Sequence, residues 1–483
     1  MTRTAPNVNT KLASLAVLAI LAQAACADVR LPSVLGSGMV LQRETDAAIW
    51  GWADADEAIR VRASWSPDAV AEARADSKGR WRVLLRTPVA GGPHTIVIEG
   101  KNRLEIKDVL SGEVWVCSGQ SNMEWPLSAT ADAEREIAQA KHPMIRFYDV
   151  TNTTAATPRD DTPAMRLGQE GTEAGWAACS PETAQRFSAV AYFFARELNE
   201  TLGVPVGLIG ANWGGTVAEA WTSAAGLAAF PEFAPDLAKV AAPDAKLGPN
   251  NPSVLYNAMI APLTGLAIRG AIWYQGESNI GRAEQYQRLF PAMIGDWRRA
   301  FNRGDFPFFF VQIAPFAYPK DSGATAALRE AQAMARATRN TGMVVTMDIG
   351  DPLDIHPRNK KTVGERLANL ALYTTYGKGD VPCHGPEAVT ALAEGRSLRV
   401  RFAYGDGLEA RGGPALHFEV AGEDGVFVEA NATIEGSDVI VSSDRVAKPV
   451  AVRYAWSAAA ETNLFNKAGL PAVPFRLTVT PTR

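Results

Sequence analysis

The chain changes character at residues 114–123, which read Val114-Trp115-Val116-Cys117-Ser118-Gly119-Gln120-Ser121-Asn122-Met123. The first four residues are a continuous apolar run, typical of a strand buried on both faces of a parallel sheet. A serine placed just beyond such a strand and a glycine can be held exposed, with its own backbone N–H free to bind an oxyanion. Met123 stands where the GxSxG motif has its second glycine, so that nucleophile elbow is absent. Ser121 is therefore a candidate nucleophile, and an ordinary serine in a turn explains these residues equally well.

Strands alternating with helices follow this stretch along the chain. We expect strands at 204–211, 270–274, 308–313 and 343–348, and helices at 284–301, 328–338 and 361–376. A further helix is expected to open at Ser180 and to carry one apolar face as far as Leu198, with Gly203 as its C-cap. This alternation favours an α/β fold, a three-layer α/β/α core over residues 111–381 whose parallel sheet has helices on both faces.

Shorter β segments flank this core. Residues 28–110 alternate β-branched or aromatic runs with turn residues, which predicts a small accessory β-sandwich. Residues 382–483 return to strands and form a second β segment, sandwich-like or jelly-roll-like, with the size of one small domain. The sequence leaves open whether the two β segments pack together as one domain.

The first 27 residues have the pattern of a secretory signal peptide. Basic residues precede an apolar run that ends in Ala25-Cys26-Ala27, and cleavage is expected before Asp28. Lipid attachment at Cys26 is the less favoured alternative, because Gln23 stands where that signal usually has an aliphatic residue. No later stretch offers 18 consecutive apolar residues. We expect an exported protein, periplasmic or extracellular, that has no membrane association after cleavage.

Composition limits the classes of function. The 483 residues are 47% hydrophobic and 21% charged, and 48 basic against 52 acidic side chains give a net charge of −4. These values favour a globular protein and offer no electrostatic footprint for nucleic acid. The four cysteines form no CxxC pair, and the HExxH, phosphate-loop and dinucleotide fingerprints are absent. We therefore expect neither a metal nor another cofactor.

Two other predicted strands end in loops of unusual composition. Residues 212–216 contain Gly214 and Gly215, which let a backbone N–H approach a ligand closely. Residues 275–279 place Gln275 and Asn279 directly after an apolar strand, and either amide would suit an oxyanion hole. Because ligands bind beyond the carboxyl ends of parallel strands, a site is expected at these loops. A tight turn and a solvated polar loop explain the same residues.

Elimination among the five histidines favours His356. It alone follows a predicted strand of the sheet and has an acid, Asp354, two residues before it. A histidine that serves as base for a serine needs its second ring nitrogen oriented by a carboxylate, and Asp354 is the nearest candidate. A surface Asp–His pair is the alternative interpretation.

In this order, the four loops resemble the SGNH-hydrolase superfamily and, within it, the sialate O-acetylesterase family. Each block alone is weak evidence for the family, whereas the four together are specific. Similar motifs near both ends extend the resemblance over nearly the whole chain after the leader. The similar blocks are Gly119–Met123, Trp213–Thr216 with Trp221, Trp273–Asn279 and Asp354–Lys360, with Met39–Arg43, Trp50–Trp52, Val452–Trp456 and Asn463–Asn466 outside the site.

The resemblance implies a serine esterase that removes O-acetyl groups from carbohydrates through an acyl-enzyme. Ser121 would attack the acetyl carbonyl, His356 would carry the proton, and Asp354 would orient the imidazole. The oxyanion would be held by the Ser121 N–H, by an N–H of Gly214 or Gly215, and by the Gln275 amide.

Two departures from the superfamily pattern leave alternatives open. Acid and histidine are commonly spaced as DxxH, whereas Asp354 is one residue closer to its histidine, so Asp351 and Glu277 are rival orienting acids. Many members have an asparagine where this chain has Gln275, which leaves Asn279 as a rival oxyanion donor.

The resemblance implies an acetylated carbohydrate as the substrate. Several tryptophans near the loops support this, because indole faces pack well against sugar rings. Sialate gives the family its name, and plant polysaccharides such as xylan or xyloglucan are the alternative. The competing classes are a non-catalytic carbohydrate-binding protein on the same scaffold and a lipase or thioesterase. The candidate substrate-binding residues are Asn122, Trp125, Trp213, Glu277 and Asn279.

Overall fold

The computed structural model describes residues 1–2, 28–168 and 174–479. The predicted leader, residues 1–27, lies outside the described residues except for its first two. Within the described ranges, no helix combines the length and the apolar character needed to cross a membrane.

The N-terminal segment is built from antiparallel strands that form two sheets. One sheet joins β3, β4, β6 and the first half of β7, with β1 added in parallel, and the other pairs β2 with β5. The strands, defined by their residues, are β1 (Val40–Gln42), β2 (Asp46–Trp52), β3 (Ala58–Ala63), β4 (Ser66–Arg74), β5 (Arg80–Arg86), β6 (Gly91–Glu99) and β7 (Arg103–Gly119).

Strand β7 connects this segment to the core. It has 17 residues, and the boundary predicted between residues 110 and 111 falls inside it. Its first half pairs with β6, and its second half lies between two parallel strands of the central sheet. The N-terminal segment and the core therefore share one continuous backbone ladder, and their division into separate domains stays a prediction.

The central sheet is parallel except at one edge. Its order is β13-β12-β11-β7-β10-β8-β9, and β9 alone pairs antiparallel. Gly119, the last residue of β7, is level with Asn212 on one side and Tyr274 on the other, so the carboxyl ends of these strands meet at one edge. The remaining core strands are β8 (His142–Asp149), β9 (Ala177–Cys179), β10 (Val206–Asn212), β11 (Gly270–Tyr274), β12 (Phe308–Val311) and β13 (Thr341–Val344).

Helices cover both faces of this sheet, as predicted. Alternate residues of a strand point to opposite faces: Val116 packs in the hydrophobic cluster that includes α7 and α8, whereas Cys117 packs in the cluster that includes α4 and α9. The three-layer α/β/α core is confirmed. The helices are α1 (Ser121–Glu124), α2 (Ala133–Gln139), α3 (Pro181–Ala184), α4 (Ala189–Leu202), α5 (Ala224–Leu227), α6 (Ala234–Val240), α7 (Ala283–Phe301), α8 (Ala324–Met334) and α9 (Lys360–Thr374).

The single helix predicted from Ser180 to Leu198 is wrong, because the chain breaks into α3 and α4. The carbonyls of Gln185 and Phe187 accept backbone N–H groups from residues 128 and 127, so they are not available to continue a helix. Ser188 then caps α4 by accepting the N–H of Ala191. The predicted end of the helix is correct, since Gly203 adopts the left-handed conformation of a C-cap.

The C-terminal segment forms its own antiparallel sheets around its own hydrophobic cluster, which also takes in residues 345 and 347 of the core. Among the described residues, no ladder joins it to the N-terminal segment. The two β segments therefore do not share a sheet. Its strands are β14 (Glu387–Glu394), β15 (Ser397–Ala403), β16 (Glu409–Ala410), β17 (Phe418–Ala421), β18 (Val428–Glu429), β19 (Asn431–Glu435), β20 (Asp438–Ser442), β21 (Ala451–Tyr454), β22 (Leu464–Phe465) and β23 (Phe475–Thr478).

Candidate active site

Ser121 begins α1 directly beyond the carboxyl end of β7. Gly119 precedes it with φ +139°, and a Cβ at that glycine would overlap the carbonyl of Tyr274, so only glycine fits there. The N–H of Gln120 donates to the same Tyr274 carbonyl at 3.0 Å. These contacts with the neighbouring strand fix the turn that presents the Ser121 hydroxyl.

The hydroxyl of Ser121 meets the imidazole of His356. Their Oγ and Nε2 atoms are 2.9 Å apart, although the residues are 235 positions apart in the chain. His356 lies in the loop between β13 and α9, and the ring of Trp125 stacks on it with centroids 4.7 Å apart and planes 17° apart. A serine within hydrogen-bond reach of a held imidazole is the arrangement of a nucleophile and its base.

Asp354 is the predicted acid that the structure shows hydrogen-bonded to His356. Its Oδ1 accepts the backbone N–H of His356 at 2.9 Å, and its charge favours the imidazolium form. Asp351 accepts the N–H of Leu353 at 2.8 Å. In the part of the chain that the structure describes, no carboxylate is hydrogen-bonded to Nδ1 of the ring, so Asp354 acts on His356 through its backbone and its charge.

Glu277, Asn122 and Lys360 form a hydrogen-bonded network next to Ser121 and the His356 loop. The amide nitrogen of Asn122 donates to Oε1 of Glu277 at 2.7 Å and to the carbonyl of Ile355 at 3.0 Å, and its oxygen accepts from the ammonium of Lys360. Asn122 is fully buried, and Lys360 is 1% exposed. Asn122 and Glu277 were predicted to touch substrate, whereas here their polar groups bond to one another and to the histidine loop.

The charges of this network act on the histidine. Burial lowers the pKa of Lys360 to about 7, against the opposing effect of the Glu277 and Asp354 carboxylates. Burial and then the Lys360 charge lower the pKa of His356, and Asp354 opposes both. A lowered pKa keeps the imidazole neutral, the form that accepts a proton, to more acidic pH.

Replacing Lys360 with methionine is expected to move the acid limb of the pH profile of kcat/KM to higher pH, by roughly half a unit to one unit. The ammonium disfavours the imidazolium, so its removal raises the pKa of His356. In the wild type that limb should lie below the ordinary histidine value. The matched control is Lys361→Met, because Lys361 bonds to Glu136 at 3.3 Å instead of the buried network. An acid limb that does not move would show that Lys360 has no effect on the base.

Glu124 lies between the nucleophile and the second loop. Its Oε2 accepts the N–H of Gly214 at 2.6 Å, and its Oε1 accepts from the amide of Asn152 at 2.9 Å. A Cβ on Gly214 would lie 3.0 Å from that Oε2 and 3.3 Å from Cβ of Ser121. Burial and the Glu124 charge raise the pKa of Asp149, which ends β8, to about 8. A carboxylate therefore lies beside Ser121, the candidate nucleophile.

The predicted oxyanion donors differ in how available they are. Both hydrogens of the Gln275 amide are engaged, by the Thr216 carbonyl at 3.1 Å and by Oδ1 of Asn279 at 2.6 Å. The Asn279 amide donates to Glu219 at 3.0 Å. In contrast, the backbone N–H groups of Ser121 and Gly215 have no hydrogen-bond partner within residues 28–168 and 174–479. Gly215 is exposed and has φ +72°.

The structure separates the tryptophans near the loops into two groups. Trp221 and Trp273 are fully buried and belong to the core. Trp125 and Trp213 are half-buried at the site. Glu124 and Lys360 were not among the predicted site residues, although each lies in or beside a similar block. Their position directly after the nucleophile and histidine motifs is the signal that could have found them.

Several known proteins are similar to this chain. Residues 111–373 match the family model for carbohydrate esterases described as sialic acid-specific acetylesterase. Sialate O-acetylesterase of Homo sapiens is 34% identical over 409 residues, which cover 77% of this chain and 76% of the relative. That of Rattus norvegicus is 31% identical over 443 residues, covering 80% and 81%. A carbohydrate acetylesterase from Xanthomonas citri, known from a crystal structure, is 38% identical and superposes with a TM-score of 0.84. The match covers 94% of this chain and 100% of that one.

The fold, the loops and these relatives define an enzyme class, the carbohydrate O-acetylesterases. Within that class, the chain belongs to the sialate O-acetylesterase family. Its activity is the removal of O-acetyl groups from carbohydrates. This membership sets aside the non-catalytic binding protein and the lipase or thioesterase as interpretations.

Proposed function

We propose that Ser121 and His356 cleave the acetyl ester by an acyl-enzyme mechanism, and that the substrate is an acetylated neutral glycan. The observation that carries the mechanism is the 2.9 Å distance between Oγ of Ser121 and Nε2 of His356. Both residues lie at the carboxyl edge of the parallel sheet, where α/β folds bind their ligands.

The reaction takes two steps. His356 accepts the hydroxyl proton of Ser121 as Oγ attacks the acetyl carbonyl carbon, and it then returns that proton to the departing sugar oxygen. The products of this step are the free sugar hydroxyl and an acetyl ester on Ser121. In the second step His356 accepts a proton from water, the hydroxide oxygen attacks the same carbon, and Oγ leaves with the proton. Acetate and the original serine result.

We assign the oxyanion hole to the backbone N–H groups of Ser121 and Gly215. Both are free of other partners among the described residues, and Ser121 opens a helix whose first N–H groups point out of the turn. The Gln275 and Asn279 amides hold the second and third loops together instead. The Gly214 N–H is engaged by the Glu124 carboxylate at 2.6 Å and is not assigned to the hole.

Asp354 is proposed as the residue that positions the base. Its bond to the His356 backbone holds the loop, and its charge stabilises the imidazolium that forms during both steps. Asp351 bonds within its own turn, and Glu277 bonds to Asn122, so neither is assigned this role. Trp213, half-buried beside Gly214, is proposed to pack against the sugar ring.

Glu124 supports a neutral substrate. Its carboxylate contacts Gly214 beside the nucleophile, where it would repel the carboxylate of a sialic acid and would accept hydrogen bonds from the hydroxyls of a neutral sugar. Acetylated xylan and xyloglucan are the substrates proposed on this basis. The predicted leader supports export of the protein to the periplasm or the outside of the cell, where it would meet such polymers.

Replacing Glu124 with glutamine is expected to raise the ratio of activity on acetylated sialosides to activity on acetylated xylan by roughly tenfold, about 1.4 kcal/mol of removed repulsion. Glutamine keeps an oxygen for the Gly214 N–H, and its NH₂ replaces the oxygen that accepts from the Asn152 amide. Asn152 then has to turn its amide over and present Oδ1, which has no partner among the described residues. The measurement is acetate release from a panel of both substrate types. Glu423→Gln, on the exposed surface of the C-terminal segment, is the control. A ratio that stays constant would remove Glu124 from substrate selection.

Sialate is the second candidate, and Arg358 favours it. This arginine is exposed two residues after His356, and the structure shows no ion pair for it within the described ranges. A sialic acid carboxylate would need such a local guanidinium. Wild-type acetate release from sialosides alone, lost in Arg358→Ala, would favour this candidate over the neutral glycan.

A further inference from the structure

A cavity lies on the N-terminal segment, and Ser121 is not among the residues that line it. It has a volume of about 400 Å³ and is lined on one side by the β2 and β5 strands. Three tryptophans, Trp50, Trp52 and Trp81, contribute to its wall, with Arg80 and Asp160 beside them. Trp50 packs closely on Gly265 of the core, since a Cβ there would lie 2.9 Å from the indole. The aromatic wall is therefore held rigidly between the segment and the core.

One polar group in this wall has no partner. Trp81 is 3% exposed, and its indole Nε1–H makes no hydrogen bond to any described residue. A buried indole N–H normally finds an acceptor. Trp81 lines the cavity, but its indole nitrogen is itself covered, so the ring carbons and not the N–H are what it offers a bound molecule. A sugar ring has an apolar face that can pack against indole.

The charges around the cavity are already compensated. Arg80 pairs with Asp160 at 3.0 Å, Arg74 pairs with Asp56 at 3.4 Å, and Asp76 accepts two backbone N–H groups. A compensated polar rim can hydrogen-bond hydroxyl groups and gives little attraction for an ionised ligand. Arg82, which is exposed at the edge of the cavity, is the exception to this charge compensation, so the experiment must include an Arg82 variant.

A short segment links this cavity to the catalytic site. Asn152 bonds to Glu124 beside the nucleophile, and Asp160 bonds to Arg80 in the cavity wall. Asp160 is eight positions after Asn152 in the chain, so the two are at most roughly 29 Å apart. An extended glycan bound at Ser121 can span such a distance.

We propose that this cavity is a glycan-binding subsite that holds a neutral pyranose unit of the polymer whose acetyl group is cleaved at Ser121. The inference rests on the proposed neutral glycan substrate. The sugar ring packs on Trp50 and on Trp52, whose indole also carries the Arg30 guanidinium 4.6 Å from the centre of its ring. The subsite raises affinity for the polymer and does not touch the reacting ester.

The test compares the full chain with Trp52→Ala and Trp81→Phe on two substrates. For acetylated xylan, each change should raise KM, by roughly tenfold for Trp52→Ala and severalfold for Trp81→Phe. The kcat/KM for 4-nitrophenyl acetate, too small to reach the cavity, should not change. Trp65→Ala is the matched control, because Trp65 is a half-buried tryptophan of the same segment outside this cavity.

Trp81→Phe keeps the fold testable, because it removes an N–H that has no partner and retains an aromatic ring. Unchanged KM for xylan in both variants would overturn the proposal. Loss of polymer binding in Arg82→Ala with no effect of Trp52→Ala would also overturn it, in favour of an acidic ligand.

Binding is measured separately from catalysis, as retention of the Ser121→Ala chain in gels that contain acetylated xylan. Weaker retention after Trp52→Ala supports the subsite, and equal retention contradicts it. Acetate release from sialosides alone would instead contradict the neutral substrate, so the two failures are distinguishable.

Discussion

Replacing Ser121 with alanine is expected to lower acetate release from acetylated xylan by roughly 10⁴–10⁶-fold. The change removes the atom that forms the acyl-enzyme, and His356 then has no hydroxyl to deprotonate at 2.9 Å. The fold should be unaffected, because α1 begins from the backbone of Gln120 and the Ser121 hydroxyl caps nothing. Acetate is measured together with the unfolding temperature, which should stay within a degree or two of the wild-type value.

Ser278→Ala is the matched control for that result. Ser278 lies in the third loop near the site, where its backbone N–H bonds to the Gln120 side chain at 3.3 Å. Its hydroxyl has no assigned role, so activity should remain near the wild-type level. If Ser121→Ala retained more than about a hundredth of the activity, the nucleophile would have to be another group.

Replacing Arg329 with methionine is expected to destabilise the protein by about 3–5 kcal/mol. Arg329 is fully buried, and its guanidinium donates to the carbonyls of Ile313 and Ala314 in the core and of Ser457 and Ala458 in the C-terminal segment, at 2.7–3.0 Å. Methionine fills part of the volume but leaves the carbonyls of Ile313, Ala314 and Ser457 without this donor, whereas the Ala458 carbonyl keeps the N–H of Phe316 at 3.0 Å. The measurement is the free energy of unfolding, or the unfolding temperature where unfolding is irreversible.

Arg476→Met provides the comparison for Arg329. Arg476 pairs with Glu330, the neighbour of Arg329 in α8, but on the surface, where an ion pair contributes about 0–1 kcal/mol. The two variants should therefore differ severalfold in their cost. An Arg329→Met protein as stable as the wild type would show that the C-terminal segment is not held to the core by this side chain.

Much of the core was predictable because its signals are local. The strand at residues 270–274 has the predicted bounds, and the helix predicted at 284–301 is observed as Ala283–Phe301. A strand buried on both faces is a continuous apolar run, and a helix on its surface shows the 3.6-residue period. The alternation of strands and helices also predicted that the loops carrying Ser121 and His356 lie at the same edge of the sheet.

The contacts around the site depend on tertiary structure and were not predictable in the same way. The break between α3 and α4 arises because residues 127 and 128 bond to the carbonyls of Phe187 and Gln185, which lie 60 and 57 positions away in sequence. In the sequence, Glu124 and Lys360 look like ordinary charged residues. The fold buries Lys360 and places the Glu124 carboxylate against the N–H of Gly214. Likewise, Gln275 seemed free to donate, and only the structure shows which carbonyl and amide occupy its hydrogens.

Covalent labelling by an organophosphonate tests the central proposal most directly, because the reagent phosphonylates the nucleophile of a serine esterase. The intact chain is labelled, its mass is measured, and the label is mapped to a peptide. The account predicts one label, on Ser121, that abolishes acetate release, and labelling that slows strongly in His356→Gln. Acetate release that persists after Ser121 is labelled, or inactivation by a label on another residue, would contradict it.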